Sequence, residues 1–384
     1  MDDVLQRAGS LFDRFEELVR AELPEDADIV DVHTHLGTDI DGMVGEYDEL
    51  ERVQARAGTS CSVVFCLDEP DRHPAFRAAN DRTLAYAARS GGRLVPFVRL
   101  DLSEGPIEEA VRCLDLGARG IKLHPRAQRF LLDDERLAPV FELAAVRRVP
   151  ILIHGGRGLP PIADALARLV DRYGATLIIA HAGIADLASL AHHFSGRPGV
   201  FFDTSVWSAL DLLDLYRLVS PEQVLYASDY PYGQQPASLL IALRTARSSG
   251  LDDELLRAML GGSAKRILAG EPPLELTPPR GGSDLAQPIT LARIHQYLSM
   301  ATPLLWTRQA DTIGVLGLAL NACDERSNGH REETERIREL LLAARDLWRT
   351  LPESENDAEL RSTARIAFRL LHLANIEAVT AAAV

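Results

Sequence analysis

Residues 28–35 read DIVDVHTH, and the fold turns on how these letters are read. Ile29, Val30 and Val32 are β-branched, which favours a strand. The run closes on His33-Thr34-His35, whereas a doubly wound nucleotide-binding sheet shows a glycine-rich phosphate turn after an early strand. Residues two apart in a strand point to the same side, so both imidazoles project together where the strand ends. Two imidazoles so placed form a nitrogen pair suited to Zn²⁺, Mn²⁺, Fe²⁺ or Ni²⁺. The pair alone is a weak signal, because most strand-end histidines are satisfied by core or rim partners.

Working outward, seven more short apolar runs follow: SCSVVFCL (60–67), RLVPFVRL (93–100), ARGIKLHP (118–125), VPILIHGG (149–156), ATLIIAHAG (175–183), GVFFDTSV (199–206) and QVLYASD (223–229). The segments between them, such as PIEEAVRCLDLG and ERLAPVFELAAVRR, carry the 3.6-residue apolar period of helices. Near-continuous apolar strands alternating with helices imply parallel strands buried on both faces. Eight such units fit a closed (β/α)8 (TIM) barrel over residues 28–270, with the open doubly wound sheet as the alternative. Residues 1–27 read as a lead-in built on an amphipathic helix. The stretch GEPPLELTPPRGGSD (270–284) holds four prolines and three glycines, which marks 271–284 as a linker. Residues 285–384 are rich in Leu and Ala, with helices expected near 288–303, 305–323, 331–350 and 357–379. They make a C-terminal all-α helical domain, which could dimerise the chain or cover one end of the barrel.

Apolar residues are 46% of the chain, enough for a sizeable core. Asp and Glu number 56 against 41 Lys and Arg, a formal net charge of −15. Such a field does not attract nucleic acid or an anionic membrane, though a local basic cluster can still bind a small anion. The N-terminus is neither a signal peptide nor a span, and no stretch has the length of apolar sequence that a span needs. The four cysteines lack metal-ligand spacing and read as free buried thiols. A soluble cytoplasmic protein acting on a small molecule is expected.

The other strand ends give the histidine pair its company. The fifth run ends in His154, the sixth in His181 and the eighth in Asp229. Barrel enzymes place their catalytic groups at the C-terminal ends of strands. His33, His35, His154, His181 and Asp229 together point to a metal site.

The motifs DVHTHLG, GIKLHP, ILIHGG, IIAHAG and YASDYPYG, followed by GGSAKRIL, resemble the amidohydrolase superfamily. More narrowly they resemble its amidohydrolase-related group, which includes aminocarboxymuconate-semialdehyde decarboxylase. The resemblance covers about residues 28–270 and leaves the helical tail outside. It implies that His33, His35, His154 and Asp229 are metal ligands. It also implies that His181 is a catalytic histidine, or a ligand in two-metal members. The chemistry agrees: a metal lowers the pKa of water toward 7, Asp229 can accept the water's proton, and His181 can hold a developing oxyanion. The expected activity is a zinc-dependent hydrolase acting on a C–N or C–O bond. Decarboxylation or hydration on the same ligands is the alternative, and a non-catalytic binding module a third.

Lys122 lies on the fourth run and shares a face with His124, and both are candidates to contact the substrate. Three readings stay open for it: a carboxylated bridge between two metals, a free ammonium for a substrate carboxylate, or a rim salt bridge. Arg126 and Arg157 follow strands on the catalytic side, where their forks suit carboxylates, and Arg99 could join them. Trp207 and Tyr232 could wall a planar or apolar substrate. His73 could enter the pocket. Asp39 and Asp41 read as turn formers. His192 and His193 face solvent, and His295, His330 and His372 are structural or surface residues.

Overall fold

A computed structural model of the 384-residue chain describes residues 2–282, 284–306, 312–325, 329–350 and 358–381. Among the described residues nine strands form one sheet: β1 (Ile29–Thr38), β2 (Val44–Gly45), β3 (Thr59–Cys66), β4 (Leu94–Arg99), β5 (Gly120–Leu123), β6 (Ile151–Ile153), β7 (Leu177–Ile179), β8 (Val200–Asp203) and β9 (Val224–Leu225). Each of the eight apolar runs forms a strand, and neighbours from β1 and β3 onward pair in parallel in sequence order. The sheet curls back on itself. Val32 N–H donates to the Tyr226 carbonyl (3.1 Å), His35 N–H to Tyr230 (2.7 Å) and Asp229 N–H to the His33 carbonyl (2.9 Å). The first strand is thereby tied to the last, as in an α/β barrel.

β2 is the one strand not expected from the sequence. It pairs antiparallel with the end of β1, Gly37 against Gly45. A Cβ at Gly45 would collide with the His35 carbonyl oxygen, so only glycine lets this hairpin close over the end of the histidine strand. Two residues are too short a run to show a period.

Side-chain alternation divides the core in two. Val63 and Phe65, Phe97, Leu152, Ile178, Phe201 and Leu225 point inside the curl with Val30 and Val32 and fill it. Their strand neighbours Val98, Ile121, Leu123, Ile151, Ile153, Leu177, Ile179, Val200 and Phe202 face the helices. The interior is therefore plugged by apolar side chains, and polar chemistry is confined to the strands' C-terminal ends.

The lead-in helix spans Asp2–Glu22. After the helix Ser263–Ala269, residues 271–282 carry no helix or strand but are held to the helix Ala209–Leu218 and to the turn Pro221–Gln223 before β9. Thr277 donates to Glu222 through its N–H (3.0 Å) and its hydroxyl (2.7 Å), and Arg280 N–H donates to the Tyr216 carbonyl (2.9 Å). Among the described residues four helices follow: Ile289–Trp306, Thr312–Cys323, Arg331–Arg349 and Ala358–Thr380. The first runs on through Pro303 instead of ending there. The expected start of the second, before Thr312, lies partly outside the described residues. Their Leu and Ala faces join the same apolar cluster as the outer face of the sheet. The four cysteines are free thiols, three buried and Cys61 half-buried. Among the described residues no helix is long and apolar enough to cross a membrane.

Candidate metal centre

At the C-terminal ends of the strands, three ligand atoms converge. His33 Nε2 lies 3.2 Å from His35 Nε2 and 3.3 Å from Asp229 Oδ1, and His35 Nε2 is 3.2 Å from the same oxygen. Strand periodicity brings the two imidazoles together, and the tie between β1 and the segment after β9 brings the carboxylate. Asp229 has φ +60°, and His181 has φ +57°. Both are non-glycine residues in the left-handed region, a strain that structures retain mostly where function requires it.

The proton count of this cluster fits a cation. His33 Nδ1 lies 2.8 Å from Asp203 Oδ2 and donates to that carboxylate. In the neutral ring Nε2 is then a bare acceptor. It faces the Asp229 carboxyl group at 3.3 Å, and a positive ion lying between them would accept electron pairs from both. Burial favours the neutral rings, holding His33 and His35 well below the usual imidazole pKa, with Lys122 adding repulsion at both. Neutral imidazole is the ligating form.

The rest of the centre sits around these atoms. His181 Nδ1 donates to the Ser205 carbonyl (2.8 Å), which fixes the tautomer and leaves Nε2 as the acceptor. His154 does not join the three converging atoms. Its ring stacks on His124 at 4.0 Å with 14° between planes and meets His181 edge-on at 4.7 Å. His154 Nε2 is buried without a hydrogen-bond partner, a position that favours an incoming ligand. Gly156 keeps this space open, because a Cβ there would press on both His154 and His181.

Lys122 is fully buried, with Nζ 3.4 Å from His33 Nε2 and 4.6 Å from the centre of the Phe65 ring. Burial pulls its pKa down to about 7 against the opposing pull of Asp203 and Asp229. Burial raises Asp229 well above the ordinary carboxylate value, with Lys122 opposing. Lys122 is therefore no rim salt bridge.

A cavity of about 420 Å³ opens over the centre. Its lining includes His33, His35, Lys122, His124, His154, His181 and Asp229 at the base, with Arg99, Arg126, Trp207 and Tyr232 around it. Arg157 is exposed and lies outside that lining. His73 is exposed as well and pairs with Glu104 at 2.8 Å. Asp39 and Asp41 do shape the turn, accepting from Asp41 N–H (3.0 Å) and Met43 N–H (2.8 Å). They also line the cavity, where the Tyr232 hydroxyl donates to Asp39 at 3.2 Å.

Asp203 is one of two buried acids at the site that the sequence alone does not single out. It is fully buried, holds His33 through one oxygen, and accepts His181 N–H (2.8 Å) and Ser205 N–H (3.0 Å) through the other. Its signal is the one used elsewhere: GVFFD is an apolar run meeting an acid at its C-terminal end. Asp31 is the other. It is buried under the histidine pair, accepts Ser228 N–H at 2.9 Å, and burial lifts its pKa to about 7.

A sequence model of the amidohydrolase family matches residues 30–269, most of the chain, and the chain belongs to that family. No curated protein matches the sequence. Among solved structures the apo form of IDCase from Metarhizium anisopliae aligns with a TM-score of 0.51 at 17% identity, covering 64% of this chain and 98% of that one. A dihydroxybenzoic acid decarboxylase from Polaromonas sp. JS666, with bound manganese and the inhibitor 2-nitroresorcinol, aligns at 0.51 and 15% identity, covering 63% and 97%. A probable 2-pyrone-4,6-dicarboxylic acid hydrolase from Acinetobacter baumannii, with citric acid bound, aligns at 0.50 and 12%, covering 63% and 99%. At these identities the likeness is one of fold. The family is metal-dependent, and the chain carries a His33-His35-Asp229 group for a metal.

Proposed function

We propose that this amidohydrolase-family chain is a zinc-dependent hydrolase that opens a C–N or C–O bond in a small molecule bearing a carboxylate. The convergence of His33 Nε2, His35 Nε2 and Asp229 Oδ1 beneath the cavity carries this reading. These three atoms would hold the metal, and His154 Nε2 is the unpartnered nitrogen on the same floor. A divalent ion bound there acidifies water and polarises a carbonyl.

The chain's own residues supply the rest. Asp229, beside the metal position, would accept the proton of the attacking water. His181, its Nδ1 engaged by Ser205, turns Nε2 toward the reacting centre and stabilises developing negative charge once protonated. Lys122 and Arg126 offer cations to a substrate carboxylate. Trp207 and Tyr232 enclose its apolar part. We place the reaction in residues 28–270, a (β/α)8 barrel, with 271–284 as linker and 285–384 as a helical domain suited to dimerisation. The chain is assigned to the cytoplasm.

Non-oxidative decarboxylation is the second reading. The observation favouring it is the buried Lys122 amine 3.4 Å from His33 Nε2, where a carboxylate that holds its proton in place would lie beside the reacting atoms rather than remote from them. The relatives from Polaromonas and Acinetobacter place a decarboxylase and a probable hydrolase on this fold.

The test is a panel of small carboxylic acids, amides and lactones incubated with zinc- and manganese-loaded protein. Incorporation of ¹⁸O from labelled water supports hydrolysis, and CO₂ release supports decarboxylation. Protein that binds neither metal stoichiometrically would sink both.

A further inference from the structure

The final helix, Ala358–Thr380, lies outside the segment matched to the family, yet it reaches the cavity wall. His372 Nε2 is 3.0 Å from the Trp207 carbonyl and donates to it. The Phe368 ring packs on the Trp207 indole at a centroid distance of 5.0 Å and 59° between planes, and the His372 ring lies 6.4 Å away. Phe368 and His372 are four residues apart and so share one face of the helix. Arg369, between them, donates to the Gln235 carbonyl at 2.6 Å and rests 4.5 Å from the centre of the Phe12 ring. The helix therefore grips both loops that leave the strand ends carrying Asp203 and Asp229.

The gripped loop after β8 has an alternating layout. Asp203 holds His33, the Ser205 carbonyl holds His181, and Trp207 lines the cavity. Beyond it, Ser208 caps the next helix by accepting Asp211 N–H at 3.3 Å. The loop is fixed inside by Asp203 and at its end by that cap. At Trp207 the final helix supplies both a backbone hydrogen bond and a ring contact.

We propose that the final helix sets substrate selectivity from outside the barrel: Phe368 and His372 position Trp207, whose indole forms the wall against which the far end of a ligand packs. Phe368 and His372 are positioning residues, touching Trp207 and not the reacting centre. This rests on the reading of the cavity as the substrate site. A ligand small enough to stay at the metal should not sense the helix, while a larger flat one should.

The experiment uses the full chain with Trp306→Phe and Trp348→Phe, so that Trp207 is the only tryptophan. His372→Ala should shift Trp207 emission to the red and raise its quenching by acrylamide, and His372→Gln, which keeps a donor, should restore both. With zinc loaded, benzoate should bind about three- to tenfold more weakly to the His372→Ala and Phe368→Leu proteins, the scale of one aromatic contact. Acetate affinity and zinc stoichiometry should not change. Unaltered Trp207 emission in both His372→Ala and Phe368→Leu, or equal weakening of acetate and benzoate, overturns the proposal. Phe368→Leu keeps the test open if His372→Ala does not fold. Zinc binding is read separately: its absence in the parent overturns the metal reading, while the emission arm still decides whether the helix positions Trp207.

Discussion

The mouth of the curled sheet and the layer of helices from Ile289 to Thr380 both bury charge, and they do so in opposite ways. In the helical layer Glu377 is fully buried, and Arg336 (3.1 Å) and Arg244 both hold it. Arg244 is shared in turn with Glu22 of the lead-in helix at 2.9 Å. At the mouth His35 Nδ1, His154 Nε2 and Arg99 Nε are buried without partners, and His181 and Asp229 sit in the left-handed region. An unpartnered buried polar atom costs about 1–3 kcal/mol, and a residue held in a strained backbone region costs a similar amount. The mouth is thus held in a state that a ligand would relieve, while the layer around it supplies compensating stability. Left-handed backbone also occurs elsewhere in the chain, as at Asp26 and Arg148, so what distinguishes the mouth is that unmet imidazole nitrogens and strained ligand residues coincide there.

The strongest attempt to break this contrast is to remove a converging atom at the mouth. His35→Ala or Asp229→Ala should abolish stoichiometric metal and drop activity to background, a loss beyond the roughly 100-fold typical of removing an outer partner. The metal-free His35→Ala protein should melt only slightly below metal-free parent, because the ring's Nδ1 is buried without a partner and its removal offsets part of the packing and Asp229 contact that are lost. Elemental analysis and calorimetry read the two halves, and a large fall in the melting temperature would mean that the mouth is ordinary core. The mirror experiment is Glu377→Ala. It leaves Arg244 with Glu22 alone and takes the Glu377 carboxylate from Arg336, and should cost up to about 3 kcal/mol in denaturant unfolding, with metal stoichiometry retained in the folded fraction.

A smaller effect sharpens the boundary of the mouth. Asp203→Asn should weaken metal affinity by about 10- to 100-fold, because it loosens the tautomer and orientation of His33. Competition with a chelator measures it. Asp203 also shows where reading the sequence stops. The eight strands were legible because parallel strands buried on both faces leave long apolar runs. His33, His35, His154, His181 and Asp229 were legible because each interrupts such a run at the same end. Asp203 does so too, but an acid alone does not announce a ligand, and its value lies in a contact with a residue 170 positions away. Arg157 was the converse. Its place on a loop after a strand suggested the cavity, but loop geometry turned it to solvent. His372 gave no local signal at all, since its contact with Trp207 arises only when the last helix docks.

The smallest effect lies where the two regions meet. Burial pulls the pKa of His372 from 6.5 down to about 4, with its bond to the Trp207 carbonyl opposing. Among the described residues its ring meets the Trp207 carbonyl, the Trp207 indole and the Phe368 ring, and none of these replaces the lost solvation of an imidazolium. Its folded pKa is depressed, so the unfolded chain takes up the proton first. The stability contributed by the neutral ring is complete above pH 6.5 and drains away as pH falls toward 4. At pH 5.5, one unit below the unfolded value, the loss relative to pH 7.5 should be about 1.4 kcal/mol. Other buried histidines at the mouth titrate in the same direction, so the parent's slope alone does not isolate this one. The difference between parent and His372→Gln does: unfolding free energies should converge by about 1.4 kcal/mol between pH 7.5 and 5.5. Parallel curves would mean that water reaches the ring, and that the last helix lies on the cavity wall more loosely than its hydrogen bond to Trp207 implies.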